Sequence, residues 1–458
     1  MRRAALAGAL LALGASPAAA LAEPPGRWTQ VTGFGPPDPS TLEASLARSA
    51  DGVLHVGWVR PDGPGGSVLH SAISRNAGRV RGPDVVHAYV GGLNHDTAIL
   101  AAPEGLRLFY AGLDDGGATS SAMATSTSAS GGRTWSPAAP ASSTALAAGR
   151  PVYTSAGLAA ARLPDGSLLS AWGAPGPALH VGLDPATADT PLFPGGAVDP
   201  GIGVDAQTGQ PIVSANLLDE DGVAYAAPGG LHTVVPGSGA AQLQHPVGVT
   251  GRIGAPGIFI AYTRGSSEFL GRAAVWNVGA RRSITLGRTG DRGVGVAAAP
   301  RGRLWAFWFR TGPDAVYATR SNRQATRFGR VVRVSAPRGT DSMLELAGEG
   351  GAGPLDVLLL ADRGRGPANW HQRVLPGLTL TATTAGAGRV RFRVTDAGEP
   401  VRRARVTVAD GASLLTGARG TVTFTLARGG YRAIAAKAGY VSASAGVRVR
   451  SSSTSTRE

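Results

Sequence analysis

The sequence has no cysteine, a single lysine and, beyond its N-terminal segment, no uninterrupted apolar run of the roughly 18 residues that a membrane helix needs. Without cysteine there are no disulfides, thiolate metal ligands or cysteine nucleophile, so an exported chain of this size must be held by its core alone. Charged residues are only 16%, against about 25% in an ordinary domain, and aromatics only 6%. The apolar share is nevertheless 43%, which excludes a disordered polyelectrolyte and allows a large core. What is plentiful is punctuation. With 68 glycines and 32 prolines among 458 residues, long helices are excluded, and the Ala- and Val-rich remainder suits many short strands. The fold class read from this composition is all-β.

The formal net charge is +14, carried by arginine except for Lys437. Residues 378–458 hold 13 basic and 4 acidic side chains, so the rest of the chain is close to neutral. A nucleic-acid partner is therefore not expected, because the positive field would be confined to one small terminal module. At the N-terminus, Arg2 and Arg3 precede an apolar run from Ala4 to Leu13 and the small-residue end Ala20-Leu21-Ala22. That order is the signature of a secretory signal over residues 1–22. It predicts a secreted protein, extracellular or cell-wall associated, with no membrane span after cleavage.

A repeat of roughly 43 to 61 residues organises the chain. Leu46 to Gly52, Ile99 to Gly105, Ala160 to Gly166, Gly203 to Gly209 and Val296 to Gly302 share one spacing between a small or aliphatic run and a turn glycine. A second run follows, closed at equal distance by Trp58, Trp172 and Trp308. Asp51-Gly52 and Asp165-Gly166 are hairpin-turn dipeptides, so each repeat opens with a hairpin. The first strands are poor in bulk, as in Val247-Gly-Val249 and Val294-Gly-Val-Ala297. Glycine weakens a strand unless another backbone must approach closely, which is what crowding around one axis demands. First strands near residues 44, 98, 157, 202, 247, 294 and 344 predict a seven-bladed β-propeller over residues 23–377, with six blades as the alternative. Trp28-Thr-Gln-Val31 and Trp370-His-Gln-Arg373 are candidates for the strands that close it.

Ser128-Ala-Ser130-Gly-Gly132-Arg-Thr134-Trp135 resembles the Asp box, S-x-D-x-G-x-T-W, of sialidases and the wider BNR-repeat propellers. Ser321 to Phe328 keeps its Ser-to-aromatic spacing, and Ser74-Arg-Asn76-Ala-Gly78 keeps its first half. Ser130 and Arg323 replace the Asp, while Asn76 can still form an Asx-type turn. The resemblance implies a propeller whose boxes are folding devices on the face away from an active site. Residues 378–450 resemble a carboxypeptidase regulatory-like domain, a small β-sandwich, through Val394-Thr-Asp396-Ala-Gly398-Glu-Pro400, Gly420-Thr-Val422-Thr-Phe424 and Ala436-Lys-Ala-Gly439-Tyr440. The usual Thr-Asp turn of that family is Thr416-Gly417 here, and the module implies no protease chemistry. Residues 451–458 read as a disordered tail.

A sialidase-like enzyme would need three arginines on a substrate carboxylate, a Tyr nucleophile beside a Glu, and an Asp acid/base. The family's first-blade Arg-Ile-Pro is absent; the equivalent stretch is Leu42-Glu-Ala-Ser-Leu46. Arg60, Arg264 and Arg310 each follow the closing aromatic of a second run by two positions, which makes them either an anion-binding cluster or solvated rim charges. Tyr262 and Glu268 match the nucleophile pair only by spacing. Asp96, Asp199, Asp291 and Asp341, with Asp114-Asp115 and Asp219-Glu220-Asp221, could offer oxygens to Ca²⁺, although turn capping explains them more simply. No other cofactor is expected, and no His pair has metal-ligand spacing. His55 reads as a core histidine. In Arg389-Val-Arg391-Phe-Arg393-Val394 the period of two sends three arginines to one face, a candidate polyanion site that Arg402, Arg403, Arg405, Arg448 and Arg450 would extend. The sequence thus points to an exported, monomeric, non-catalytic protein that binds an extracellular glycan or cell-envelope polymer, with a diverged sialidase-like exo-glycosidase as the alternative.

Overall fold

A computed structural model describes residues 27–450 apart from 34–43, 63–64, 76–78, 90–96, 114–120, 142–156, 174–178, 185–188, 194–195, 218–221, 240–247, 266–269, 311, 313, 387 and 410. The signal segment, the tail, Asn76, Asp96, Asp114, Asp115, Asp219, Glu220, Asp221 and Glu268 lie outside the described residues. The described chain is all strand and turn. Among these residues no helix is long and apolar enough to cross a membrane.

From Thr29 to Val374 the strands form seven four-stranded antiparallel sheets. Their first strands are Ala44–Arg48, Thr97–Ala102, Leu158–Arg162, Ala197–Val204, Val249–Arg252, Asp291–Ala299 and Ser342–Glu349, and the sheets are numbered one to seven in that order. Each first strand touches the next, and the last touches the first. Six sheets are built from consecutive strands. The seventh takes its outer strand from the other end of the segment, with Thr29 opposite His371 and Gln30 opposite Trp370. The arrangement is β-propeller-like.

Side-chain bulk explains the geometry. A Cβ on Gly248 would lie only 3.1 Å from the Gly295 backbone of the next first strand, and one on Gly295 would lie 2.1 Å from the ring of its cross-strand partner Phe307, so these positions leave no room for side chains. The second-strand aromatics fill the gaps between sheets instead. Trp58 packs with Leu358 and Leu360 of the seventh sheet, Trp172 with Phe109 of the second, and Trp308 with Phe259 of the fifth. Gly52 and Gly166 supply the positive φ (86° and 89°) of their hairpin turns, where Asp51 and Asp165 accept the N–H of Val53 and Ser167.

An ionic cluster joins the ends of the ring segment. Asp356 of the seventh sheet is fully buried and accepts from Arg48 of the first sheet, from His371 at 2.9 Å and from Arg373 at 3.0 Å. Arg48 also pairs with Glu349 at 2.5 Å. Burial works to raise the Asp356 carboxyl, but the bonds from His371 and Arg373 prevail and hold it below the usual carboxylate range.

Residues 379–449 form two further sheets around a separate core that includes Val390, Phe392, Val394, Val406 and Phe424. One holds Thr379–Thr384, Arg389–Asp396 and Thr421–Thr425; the other holds Ser413–Leu415, Arg405–Val408, Gly429–Ala436 and Ala443–Val449.

Candidate functional site

The first strands of all seven sheets surround a central cavity of about 310 Å³. Its wall is made of small and aliphatic residues, as the crowding of inner strands dictates, with Ser45, Thr97, Asp199, Glu345 and Asn369 as its polar groups. Ser45 and Thr97 share a hydrogen bond of 2.9 Å, and Thr97 donates to the Gly57 carbonyl at 2.8 Å. Asp199, in a left-handed conformation (φ 56°) and almost fully buried, accepts from Asn216 at 3.1 Å. Two carboxylates and no cation line the cavity among the described residues.

The three candidate arginines do not converge on this cavity. Arg60, Arg264 and Arg310 lie on the second strands of the first, fifth and sixth sheets, none of them in the cavity wall. Arg264 is exposed and reaches Thr285 at 3.4 Å. Arg310 is committed elsewhere: it donates to the fully buried Asp291 at 3.1 Å through Nε and lies 5.0 Å from the Tyr317 ring. Tyr262 sits in the core between the fourth and fifth sheets, its hydroxyl 2.5 Å from Ser283, and burial raises it above the usual phenol range. A raised phenol is the wrong direction for a nucleophile. Asp199 and Asp291 thus serve neighbouring side chains, and among the described residues no three His, Cys, Asp or Glu gather as a metal would need.

The box-like turns act as folding devices. Ser130, at the Asp position, accepts the Thr134 N–H at 2.8 Å; Ser128 accepts that of Gly132 at 2.9 Å, and both Gly131 and Gly132 have positive φ. In the Ser321 to Phe328 turn the capping is done one position early, by Asn322, which accepts from Thr326 and Arg327 at 2.9 and 3.2 Å. Beneath the first turn, Trp135 stands edge-on to His70. His70 and His55 are both buried, 3.0 Å apart, and burial brings each down to about 4. His55 is the core histidine expected; its partner on the adjoining strand was not anticipated, because the pair forms only across the hairpin.

In the C-terminal part, Arg389, Arg391 and Arg393 alternate with buried Val390, Phe392 and Val394 and are all exposed. Thr381 and Thr421 stand opposite Arg393, Thr383 and Thr423 opposite Arg391, and Thr425 opposite Arg389. The face is therefore a row of guanidinium groups between two rows of threonine, with no carboxylate on it. The extension to Arg405 and Arg448 fails, because those residues belong to the other sheet of the sandwich.

No family model matches this chain, and no curated protein matches it either. Among solved structures it is similar to the polysaccharide lyase Uly1, at 13% identity and a TM-score of 0.40 over 72% of this chain and 89% of the other. It is similar also to the Hadza microbial sialidase Hz136, at 10% identity and 0.42 over 72% and 64%. A chain of a mitotic checkpoint complex is similar at 12% identity and 0.44 over 82% and 99%, so at this level of likeness no activity is singled out.

Proposed function

We propose that this is an exported, monomeric, non-catalytic protein that binds acidic extracellular glycans or cell-envelope polymers, built as a seven-bladed propeller over residues 23–377 and a carboxypeptidase regulatory-like sandwich over residues 378–450. The cyclic contact of the seven first strands and the gap-filling aromatics support the closed ring. The capping in the Ser128 to Trp135 turn supports the kinship with BNR-type propellers. Carrying the functional reading is the exposed row of Arg389, Arg391 and Arg393, none of which has a carboxylate partner among the described residues. At about 6.6 Å spacing, the row offers a repeating positive charge to the oxyanions of a polyanion.

Intact protein should be retained on an immobilised polyuronate at low ionic strength and released as salt rises, because exposed charges are screened beyond about 10 Å at 0.1 M. Changing the three arginines together to Ser should reduce retention without loss of fold; undiminished retention would refute the reading. A fluorogenic sialoside should not be turned over, since among the described residues the cavity has no arginine to hold the sialic-acid carboxylate.

A further inference from the structure

The sandwich is docked against the sixth sheet through paired charges. Arg303 and Arg320 reach Asp396 at 3.3 and 2.5 Å, Arg303 also binds Glu399, and the Arg323 backbone N–H donates to Glu399 at 2.8 Å. The docked parts do not close on each other completely. Between them lies a cleft of about 640 Å³ with cations on both walls: Arg301, Arg303, Arg320 and Arg323 from the ring side, Arg402 and Lys437 from the sandwich.

Among the described residues two carboxylates, Asp396 and Glu399, face these six cations, and both are already engaged by Arg303, Arg320 and Arg323. Arg301, Arg402 and Lys437 have no carboxylate partner among the described residues. Lys437 donates to the Arg402 carbonyl at 2.7 Å, which leaves further ammonium donors, and the Arg301 and Arg402 side chains are exposed. Arg301 occupies a left-handed turn position (φ 63°). The geometry points to a second binding site, distinct from the outer arginine row, for an oligosaccharide bearing carboxylate or sulfate groups, held between Arg301 on one wall and Arg402 and Lys437 on the other.

The chemistry of the cleft selects this class. Surplus guanidinium groups favour oxyanions that accept two parallel bonds, and the volume suits a ligand of a few sugar rings rather than a single small ion. A nucleic-acid base would need a free aromatic face. Among the described residues the one aromatic ring in the cleft wall, Tyr440, has Arg320 over it at 5.4 Å. Because the walls belong to different parts of the chain, an occupant would also tie the sandwich to the ring.

The choice of a saccharide rests on the functional reading above, whereas the cationic cleft does not. Calorimetric titration of intact protein at low salt should show binding of a tetragalacturonate or a sulfated disaccharide and none of a neutral tetrasaccharide. Arg301→Asn with Arg402→Ser, chosen because Asn tolerates left-handed φ and both sites are exposed, should weaken binding at least tenfold. The Arg389→Ser, Arg391→Ser, Arg393→Ser variant should leave it unchanged. Unchanged affinity in the cleft variant, equal binding of the neutral sugar, or equal binding of inorganic phosphate would overturn the proposal. Loss of binding only in the outer-row variant would overturn it too, while leaving the functional reading intact; retention of the short oligosaccharides together with failure of polyuronate retention would support the cleft and refute the outer row.

Discussion

The wall of the ring segment and the outward face of the first C-terminal sheet use arginine in opposite ways. In the ring, three arginines are consumed internally: Arg48 and Arg373 by Asp356, Arg310 by Asp291. In the sandwich, Arg389, Arg391 and Arg393 are held outward by nothing more than strand alternation. A net charge of +14 therefore says little until the pairs are known. The paired arginines are spent within sheets or, for Arg48, between two of them, and the unpaired ones are available to a ligand.

That contrast breaks most sharply at Asp356. Replacing it with Asn leaves buried positive charge beside Arg48, Arg373 and His371, so stability should fall by about 3–5 kcal/mol in urea denaturation. Arg391→Ser, on the exposed face, should stay within about 0.5 kcal/mol of the parent. Equal effects at the two sites would mean that Asp356 does not join the first and seventh sheets.

Acid should act on the ring before it acts on that cluster. His55 and His70 have folded values of about 4 against an ordinary 6.5, with burial as the main cause. A histidine depressed in this way binds its proton more readily when unfolded. It costs nothing above pH 6.5, destabilises progressively as pH falls from 6.5 to 4, and then levels off. One proton on the pair amounts to about 3 kcal/mol across that window. Asp356, likewise shifted downward, contributes stability that is present above the ordinary 3.8 and lost only as pH falls through its lowered value. Thermal melts from pH 7 to 4 should fall for the parent and flatten for His55→Gln with His70→Asn; parallel curves would rule the histidines out.

The organisation of the ring was largely legible in the sequence. First strands anticipated near residues 44, 98, 157, 202, 247, 294 and 344 occur at 44–48, 97–102, 158–162, 197–204, 249–252, 291–299 and 342–349, because glycine spacing and turn chemistry are local signals. The Trp28 and Trp370 segments pair as expected. What was not legible is who neutralises whom. Arg48 and Asp356 are 308 positions apart, and Arg320 meets Asp396 across the boundary of two cores, so no spacing rule reveals them. The cleft stayed hidden for the same reason. Asn322 was missed as a cap because a one-position shift moved it off the motif.

Packing at the centre should be less costly to disturb than the buried carboxylate, though more so than anything on the sandwich surface. Gly295→Ala would place a methyl group 2.1 Å from the Phe307 ring, and the overpacking should cost about 1–3 kcal/mol. Gly430→Ala, with nothing within 4 Å, should be near neutral. A neutral Gly295→Ala would mean that the Phe307 ring yields to a side chain on the first strand of its own sheet.

The smallest effect sharpens the comparison at a turn. Ser130 already accepts the Thr134 N–H at 2.8 Å, so the position performs the cap with a neutral oxygen. A carboxylate makes a stronger, charge-assisted bond to the same N–H, and the neighbouring Arg133 is exposed and basic. Ser130→Asp should therefore raise stability by about 0.5–1 kcal/mol, the range of a good side-chain cap. The gain should vanish as pH falls below the carboxyl's pKa, because a protonated acid loses the charge that strengthens the bond. In Asn322→Ala the turn of the sixth sheet should lose a similar amount, since Asn322 accepts from both Thr326 and Arg327. If Ser130→Asp is neutral or destabilising while Asn322→Ala is costly, the first turn is held by Trp135 and the Ser128 bond to Gly132 rather than by the residue at the box position.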